Sequence, residues 1–388
     1  MSTAAAPLTG KYPVRHLLQR LTRLQGPEQE QTINLQPLST NTFPASIKTD
    51  KFIWGLLVQL HLRIQVGGTA FTPLVNAIAN LIQELRVYGT HTRYGAQVPV
   101  RMRGQSLWDL SAQFAKAYQP QFYVNGVRGG SFAGAANTNY DVDMFLVVPF
   151  PTQGIPLADQ ILNGALKGPD WAGDLHVAMD IGDGTSLGTT AGNITISAFG
   201  SNSGNGQILL SLIRPNLGTM PDGTAIQSLI TPSICFKTYK AIDAILQGSN
   251  LVGQKISDLN VGKKMARIIV KTGVQQTSTS AGVLVYASLS DAIITRAFPA
   301  LDGKNIKNPY NSASTRELEF YFREAVPVKG YNIIDWIEGG NIQSAFPSQG
   351  LTSSRRWELD GDVTAASNQI GEVMMEELLG DPILPQVG

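Results

Sequence analysis

Strict alternation of apolar and polar residues in one segment is the feature that most constrains the fold of this chain. The apolar residues are Val58, Leu60, Leu62, Ile64 and Val66, and a polar residue stands between each pair. Because a β-strand turns successive side chains to opposite faces, this pattern predicts a strand with one dry side and one wet side. Similar segments recur along the chain, so we expect a protein built mainly of β-sheets.

Short segments of the same kind predict the remaining strands. In the first half they are Glu84–Tyr88, Val98–Met102, Asp141–Pro149, Leu175–Ile181, Asn193–Ser197 and Gln207–Arg214. In the second half they are Ile234–Ile242, Lys264–Thr272, Val283–Ala287, Ile293–Phe298, Glu317–Arg323, Tyr331–Ile337 and Arg356–Leu359. Lys240–Gln247 fits a helix equally well. The pattern indicates an all-β chain of two units, each with about seven or eight strands, the size of a sandwich or jelly roll.

The N-terminal residues have a different character. Tyr12–Gln25 places apolar residues at helical spacing and predicts a short basic amphipathic helix. Its basic residues are Lys11, Arg15, Arg20 and Arg23. Such a helix could lie on an anionic membrane, reach nucleic acid, or dock on its own domain or a neighbouring subunit. Glu28–Pro44 follows as an extended polar arm without periodicity.

Two further helices are expected. Ser106 with Asp109 three residues later has the form of a capping box that opens a helix. Ala366–Leu379 has an apolar stripe at helical spacing, and Gly380 followed by Asp381 and Pro382 would end it.

These elements divide the chain into five parts. We expect an N-terminal helix and arm at 1–50, a first jelly roll at 51–215, a linker at 216–232, a second jelly roll at 233–364, and a C-terminal helix and tail at 365–388.

Composition favours an associating protein. Charged residues make up only 15% of the 388 residues, and the 30 Lys and Arg residues nearly balance the 29 Asp and Glu residues. Low net charge promotes association between copies, although a surface rich in uncharged polar residues would look the same. The single cysteine, Cys235, excludes an intrachain disulfide. No secretory signal is expected at the N-terminus, and no apolar run approaches the ~18 residues of a membrane span.

Four aspartates are the candidates for chemistry. Asp141 and Asp143 share one face of a strand and could bind a divalent cation, but the apolar residues beside them point them to solvent. Asp180 and Asp183 belong to a segment that looks like the phosphate-binding hairpin of actin and the sugar kinases. The segment lacks a second phosphate loop, so Gly182–Gly184 is better interpreted as a hairpin turn. No cofactor is expected.

Other polar clusters favour structural roles. His16, His61, His91 and His176 are scattered and are expected at the surface rather than around a metal. Arg86, Arg93, Arg101 and Arg103 form a modest basic patch, and Arg355 and Arg356 form another. Because nucleic-acid-binding domains carry a larger basic excess, subunit contact is the preferred interpretation of both. Cys235 is expected to be a small buried apolar residue.

The assembled pattern resembles the double jelly-roll major capsid proteins of tailless icosahedral viruses with an internal membrane, such as the tectiviruses. Three features carry the resemblance. They are the consecutive β units Lys51–Pro215 and Ser233–Thr364, the early pair Leu81–Tyr88 and Gly104–Leu110, and the late pair Gly330–Ile337 and Trp357–Asp362.

The resemblance implies a homotrimer that forms a pseudo-hexagonal capsomer of an icosahedral shell. It implies synthesis in the host cytoplasm, location in the virion capsid, and vertex or minor capsid proteins as further partners. Lys11, Arg15, Arg20 and Arg23 would then face the internal membrane, which suits a basic amphipathic helix on anionic lipid. It implies no enzymatic activity and no specific nucleic-acid partner.

Two other classes of function stay open. A two-domain β-sandwich could be a carbohydrate-binding or adhesion protein, since jelly rolls also form lectins. A β-rich glycosidase would need a carboxylate pair across a cleft, for which Asp141, Asp143, Asp180 and Asp183 are the candidates.

Overall fold

A computed structural model describes residues 23–43, 47, 52–114, 119–188, 194–198, 206–219, 223, 225–230, 233–242, 251–259, 263–306, 328–337, 345, 355–364 and 368–380. Most of the predicted N-terminal helix lies outside these residues, as do the predicted strand Glu317–Arg323 and residues 243–247 of Lys240–Gln247. Arg23 and Leu24, at the end of the predicted helix, instead form a short strand.

The described residues form 24 strands. In chain order the first fifteen are β1 (Arg23–Leu24), β2 (Glu28–Asn34), β3 (Ser39–Thr42), β4 (Phe52–Ile53), β5 (Gly55–Val66), β6 (Ile82–His91), β7 (Gly95–Met102), β8 (Gln121–Val124), β9 (Val127–Arg128), β10 (Asn139–Pro149), β11 (Leu166–Lys167), β12 (Trp171–Ile181), β13 (Ile194–Ser197), β14 (Gln207–Ile213) and β15 (Pro215–Asn216). The others are β16 (Ile234–Ala241), β17 (Leu251–Leu259), β18 (Lys263–Gln275), β19 (Tyr286–Leu289), β20 (Ile294–Leu301), β21 (Lys304–Asn305), β22 (Tyr331–Asp335), β23 (Arg355–Val363) and β24 (Gln369–Leu379).

Helices are short and few in this part of the chain. The two α-helices are α1 (Gly104–Phe114) and α2 (Leu157–Leu162). Short 3-10 helices lie at Ala77–Leu81, Gly168–Asp170, Gly184–Ser186 and Ile226–Leu229. No helix among the described residues is long and apolar enough to cross a membrane.

The first sandwich is organised around β5, the strand with the alternating sequence. Leu60, Leu62 and Ile64 are fully buried, while the polar residues between them are half-buried on the other face. The seven-stranded sheet has the order β2-β14-β5-β10-β8-β9, and β13 pairs with β5 as well. Facing it are β3, β12, β6 and β7, so that the apolar rows of the two sheets form one core. The prediction for Val58–Val66 is therefore confirmed.

The N-terminal arm is part of this sandwich. We predicted Glu28–Pro44 as an extended polar arm, and its strands are extended: β2 pairs with β14 and β3 pairs with β12. The arm supplies an edge strand to each sheet. Its polar sequence suits an edge position, where one side of a strand stays in water.

The second sandwich shares a sheet with the first. β16 pairs in parallel with β7, which joins β16, β24 and β18 to the strands of the first sandwich in one nine-stranded sheet; β19 and β22 both pair with β18. The opposing sheet has the order β17-β23-β20-β21. Between them lies a separate apolar core that includes Ile268, Val270, Trp357 and Leu359.

The predicted C-terminal helix Ala366–Leu379 is wrong. Its described residues form β24, which lies between β16 and β18 in the centre of the shared sheet. Ten of its eleven residues are buried, because both faces of the sheet are covered. A strand buried on both faces has no alternation of apolar and polar residues, so its sequence does not show the two-residue period.

Candidate functional site

The junction between the two sandwiches holds most of the buried charge of the described chain and is the candidate functional site. There α1 and the residues after β10 cover the outer face of β16, β24, β18 and β22. Arg267, Lys271 and Glu372 are 0% exposed on this face. Because burying a charge is costly unless it is paired, the geometry around each of these groups decides how the sandwiches are held together.

Lys271 is the centre of the first cluster. Its Nζ donates to Gln105 Oε1 at 3.0 Å and to Ser106 Oγ at 3.1 Å, both on α1. Ser106 Oγ donates in turn to Glu372 Oε2 at 3.3 Å, and Glu372 also pairs with Arg103. Burial lowers the pKa of Lys271, and Glu372 opposes that shift. The cluster thus ties the start of α1 to two central strands of the second sandwich.

Ser106 and Asp109 do not form the predicted capping box. The helix α1 begins two residues before Ser106, so both side chains are inside it and point into the junction. Asp109 Oδ2 accepts from the hydroxyl of Tyr331 at 2.6 Å, and Asp109 Oδ1 accepts from Asn76 Nδ2 at 2.8 Å. Burial raises the pKa of Asp109, and burial together with the Asp109 charge raises the pKa of Tyr331.

Asp109 supplies a testable pH dependence. Its pKa in the folded protein is raised above the ordinary value of 3.8, so the folded state binds this proton more tightly than the unfolded state. The resulting stability is full below pH 3.8 and is lost as the pH rises through the raised folded pKa. We expect the free energy of unfolding of the wild type, relative to D109N, to increase as pH falls through that window. Urea unfolding at stepped pH measures it, and a pH-independent difference would contradict the assignment.

Arg267 is the centre of a second cluster. Its Nε donates to Asp335 Oδ2 at 2.8 Å, its Nη1 to Glu376 Oε2 at 3.1 Å, and its Nη2 to the main-chain oxygen of Gln153 at 2.8 Å. Lys237 Nζ lies 3.8 Å from the other oxygen of Glu376. Since Gln153 belongs to the first sandwich, one guanidinium group connects both units.

The residues of both clusters stand opposite one another on adjacent strands. In the pairing of β18 with β24, Arg267 is opposite Glu376 and Lys271 is opposite Glu372. Our sequence analysis named neither pair. A signal was present in the sequence, because Arg267 and Lys271 have the same spacing of four residues as Glu372 and Glu376. Only the antiparallel pairing shows that these spacings coincide.

The predicted basic patch is largely neutralised within the chain. Arg101 Nε lies 3.1 Å from Glu84 Oε2, and Arg86 Nε lies 3.2 Å from the other oxygen of Glu84. Tyr239, from the second sandwich, donates to Glu84 Oε2 at 2.6 Å and carries Arg103 over its ring. These arginines therefore serve the junction between sandwiches. Arg93 lies apart from them, over the ring of Tyr94.

The second basic pair, Arg355 and Arg356, is likewise matched by acids. Arg355 Nη1 lies 2.9 Å from Asp302 Oδ2, and Arg356 Nε lies 3.0 Å from Glu358 Oε1. The charges stand on or beside β23, within the second sandwich.

A loop clamp adds a further contact between the sandwiches. Asp183 Oδ2 accepts from Ser280 Oγ at 2.6 Å, Ser280 N donates to Thr185 Oγ1 at 3.0 Å, and Gln276 Nε2 donates to the main-chain oxygen of Gly188 at 2.6 Å. Asp183 also caps the 3-10 helix that follows it. Gly182–Gly184 is therefore no hairpin turn, since β12 and the next strand, β13, lie in different sheets.

The other candidate aspartates are held in ion pairs. Asp141 accepts from Arg63 Nε at 2.6 Å, and Asp143 pairs with His61. Asp180 accepts from Thr40 at 2.5 Å and from Arg86 at 2.9 Å. Asp141 and Asp143 lie on the seven-stranded sheet, while Asp180 lies on the opposing one, so the structure does not bring the four together.

The remaining histidines are separated from one another. His176 stacks on Tyr88 on the half-exposed side of β12. His91 is buried against Tyr94 and Trp171, contrary to the predicted surface position, and burial lowers its pKa. His16 lies outside the described residues. Among the residues that the structure describes, no group of three or more His, Cys, Asp or Glu could hold a metal ion.

Cys235 is fully buried beside Thr152, as the sequence predicted. Burial raises the pKa of its thiol to about 12. Because the thiolate is the reactive form, we expect no reaction with a thiol reagent at pH 8 while the protein is folded and stoichiometric reaction in denaturant. Labelling followed by mass spectrometry measures this, and rapid labelling of the native protein would show that the strand opens locally.

Comparisons with known proteins place the fold. No family model matches the sequence, and no curated protein matches it. Solved structures match along nearly the whole chain. The STIV MCP, from Sulfolobus Turreted Icosahedral Virus, has a TM-score of 0.58 at 13% identity, and the match covers 95% of this chain and 99% of that one.

Two further structures agree. The major capsid protein of bacteriophage PM2 has a TM-score of 0.51 at 10% identity, covering 95% of this chain and all of its own, 100%. A chain of the PBCV-1 virus capsid has a TM-score of 0.52 at 9% identity, covering 99% of this chain and 98% of its own. The chain has the double jelly-roll fold.

The double jelly roll explains why the junction matters. Each jelly roll has its own apolar core, but α1 and loops of the first jelly roll cover the outer face of one sheet of the second. The charge clusters, the shared sheet and the loop clamp all fix how the two units are placed relative to each other. The expected all-β fold of two consecutive jelly rolls is confirmed. The boundaries at 51–215 and 233–364 stay predictions, although β2 and β3 of the arm pair with strands of the first jelly roll and β24 replaces the predicted C-terminal helix.

Proposed function

We propose that this chain is a major capsid protein whose function is to assemble with copies of itself into an icosahedral viral shell, and that it acts in the virion capsid without enzymatic activity. The observation that carries the proposal is the match of the double jelly roll, over nearly its whole length, to capsid proteins of three different viruses. The ionic junction supports the proposal, because a shell subunit contacts its neighbours through both barrels and must therefore keep the two barrels in one relative orientation.

A trimer is the finer part of the proposal. Three chains with two barrels each would present six similar outer edges and close into a pseudo-hexagonal capsomer. Closed cyclic symmetry is the usual solution for identical subunits. Capsomers would then dock laterally and meet vertex or minor capsid proteins.

Light scattering behind a sizing column tests this part, followed by electron microscopy of the same fraction. A stable particle of three times 41.7 kDa, with hexagonal outline, is the expected result. A chain that stays monomeric at every concentration and salt condition, and that forms no shells, would overturn the proposal.

Contact with an internal membrane is a separate proposal. Lys11, Arg15, Arg20 and Arg23 would bind anionic lipid beneath the shell, at about 1 kcal/mol for each basic residue near the surface. Flotation with vesicles containing anionic lipid measures it. Replacing all four by alanine should abolish binding to anionic vesicles, with neutral vesicles as the matched control, and unchanged binding would contradict it.

A carbohydrate-binding or glycosidase function has no specific observation in its favour. The four candidate aspartates are already engaged. Asp141, Asp143 and Asp180 are in ion pairs on separate sheets, and Asp183 caps a 3-10 helix.

A further inference from the structure

The side chain of Lys271 is a buried amine that touches a carboxamide of the other jelly roll. It is 0% exposed, and its Nζ lies 3.0 Å from Gln105 Oε1 and 3.1 Å from Ser106 Oγ. Both of these acceptors are uncharged, whereas Arg267, on the same strand, contacts two carboxylates directly. Hydrogen bonds to neutral acceptors compensate the burial of an ammonium charge less well than a direct ion pair does. Lys271 is therefore a buried nitrogen nucleophile next to an acyl group.

Two tyrosine rings close the site around this amine. Nζ lies 4.4 Å from the ring centroid of Tyr286 and 5.6 Å from that of Tyr331. Both tyrosines are buried, and Gln105 is 5% exposed. The ring faces attract the amine while it is charged and hold it in place beside the carboxamide. Because water is excluded here, hydrolysis does not compete with an attack by the amine.

A relay of two hydrogen bonds leads from the amine to a carboxylate. Lys271 Nζ donates to Ser106 Oγ, which donates in turn to Glu372 Oε2 at 3.3 Å. Glu372 is 0% exposed, and its other oxygen pairs with Arg103. A proton can pass from Lys271 through the Ser106 hydroxyl to Glu372, which leaves the neutral amine, the nucleophilic form. Burial favours this transfer, since it lowers the pKa of Lys271.

We propose that Lys271 Nζ and Gln105 Cδ become joined by an isopeptide bond, with Ser106 and Glu372 as the proton relay, so that the two jelly rolls are linked covalently. The fold holds the amine and the carboxamide in contact, which makes their reaction intramolecular. This self-modification goes beyond the proposed assembly and does not depend on it.

The reaction needs no co-reactant. The lone pair of the neutral amine forms the bond from Nζ to Gln105 Cδ, and the carbonyl electron pair moves to Oε1. When that pair returns, the bond from Cδ to Nε2 breaks and its electrons leave with Nε2. Of the three protons of the Lys271 ammonium group, one stays on the new amide and two pass through Ser106 and Glu372 to Nε2, which departs as ammonium. Glu372 ends as a carboxylate whose charge Arg103 compensates.

The link would have a large effect on the unfolded chain. Gln105 and Lys271 are 166 positions apart, and a cross-link that closes a long loop restricts the unfolded state more than one that closes a short loop. The bond would therefore keep the two jelly rolls together even where the hydrogen bonds of the junction open.

Trypsin digestion of the denatured full-length protein, followed by mass spectrometry, tests the bond directly. Trypsin needs a free lysine amine, so the bond blocks cleavage after Lys271. We expect residues 104–116 joined to residues 268–296, with a mass lower than the sum of the two peptides by one ammonia. The joined peptide decides the question rather than the mass of the whole chain, because cyclisation at an Asn–Gly pair also expels ammonia. Two separate peptides, with cleavage after Lys271, would overturn the proposal.

Two variants separate the chemistry from folding. Gln105→Met keeps a similar volume but offers no acyl group, so we expect no joined peptide. Ser106→Ala keeps the amine and the carboxamide but interrupts the relay, so we expect joining to be at least tenfold slower, measured as the joined fraction at intervals after cell-free synthesis. Circular dichroism checks that both variants fold, and if either does not, the wild-type digest still decides. Joining to residue 105 in Gln105→Met, or joining at the wild-type rate in Ser106→Ala, would overturn the assigned roles.

Discussion

Arg267→Met is expected to lower the free energy of unfolding by about 3–5 kcal/mol, the usual loss when one partner of a buried ion pair is removed. The methionine side chain fills similar space but leaves Asp335 and Glu376 without the guanidinium that both contact. It also leaves the main-chain oxygen of Gln153 without its donor. Chemical denaturation monitored by tryptophan fluorescence measures the change.

The matched control for this prediction is the double variant R267M/D335N. The neutral amide keeps the shape of the Asp335 carboxyl group, and Glu376 keeps Lys237 as its cation at 3.8 Å, so the remaining charges balance and most of the lost stability should return. The amide oxygen that replaces the Asp335 carboxylate can still accept from the main-chain nitrogen of Ile337, as the carboxylate does at 2.7 Å. If the double variant is as unstable as Arg267→Met alone, the loss comes from packing and the ionic interpretation is wrong.

Trp357→Ala is expected to cost about 3–5 kcal/mol, as for other large aromatic residues removed from a core. Trp357 is 0% exposed in the core of the second jelly roll and packs edge-on against Trp336 at 5.4 Å between ring centroids. Because the two jelly rolls share a sheet and the charge clusters, we expect the whole chain to unfold in one calorimetric transition at lower temperature.

The comparison variant for this prediction is Trp336→Ala. Trp336 is only partly buried on the edge of the same core, so a smaller loss is expected. A separate early transition in Trp357→Ala, with the first jelly roll unfolding at the wild-type temperature, would show that the junction does not couple the two units.

The chain's strands were predictable where one face of a sheet is wet. In β5 and β10 the polar residues carry ion pairs at the half-buried surface, so the two-residue period is visible in the sequence. The prediction failed at β24, where glutamates and apolar residues are buried together. At the arm the sequence indicated an extended segment but not the strands it pairs with, because its polar strands lie at sheet edges. In both cases the environment that decides the structure comes from residues far away in the chain.

The charged junction was outside the reach of sequence reasoning for a related reason. The spacing of Arg86 and Arg101 favours a patch for a neighbouring subunit, but both pair with Glu84 of the same chain. Lys271 and Glu372 lie within segments whose patterns predict ordinary elements. A charged residue suggests a special role when it interrupts the apolar pattern of its segment. Lys271 and Glu372 do not interrupt the patterns of their segments, so neither stood out in the sequence.

By itself, the sequence determined an all-β chain of two consecutive jelly rolls with little net charge, because strand periodicity and composition are local properties of the chain. Only the tertiary structure decided how the two units are joined and what remains exposed. Pairing of β18 with β24 places basic residues opposite glutamates 109 and 101 positions away, as in Arg267 with Glu376 and Lys271 with Glu372. Such pairings arise from register and packing between distant segments, because the cost of burying a charge depends on the partner that the tertiary structure places beside it.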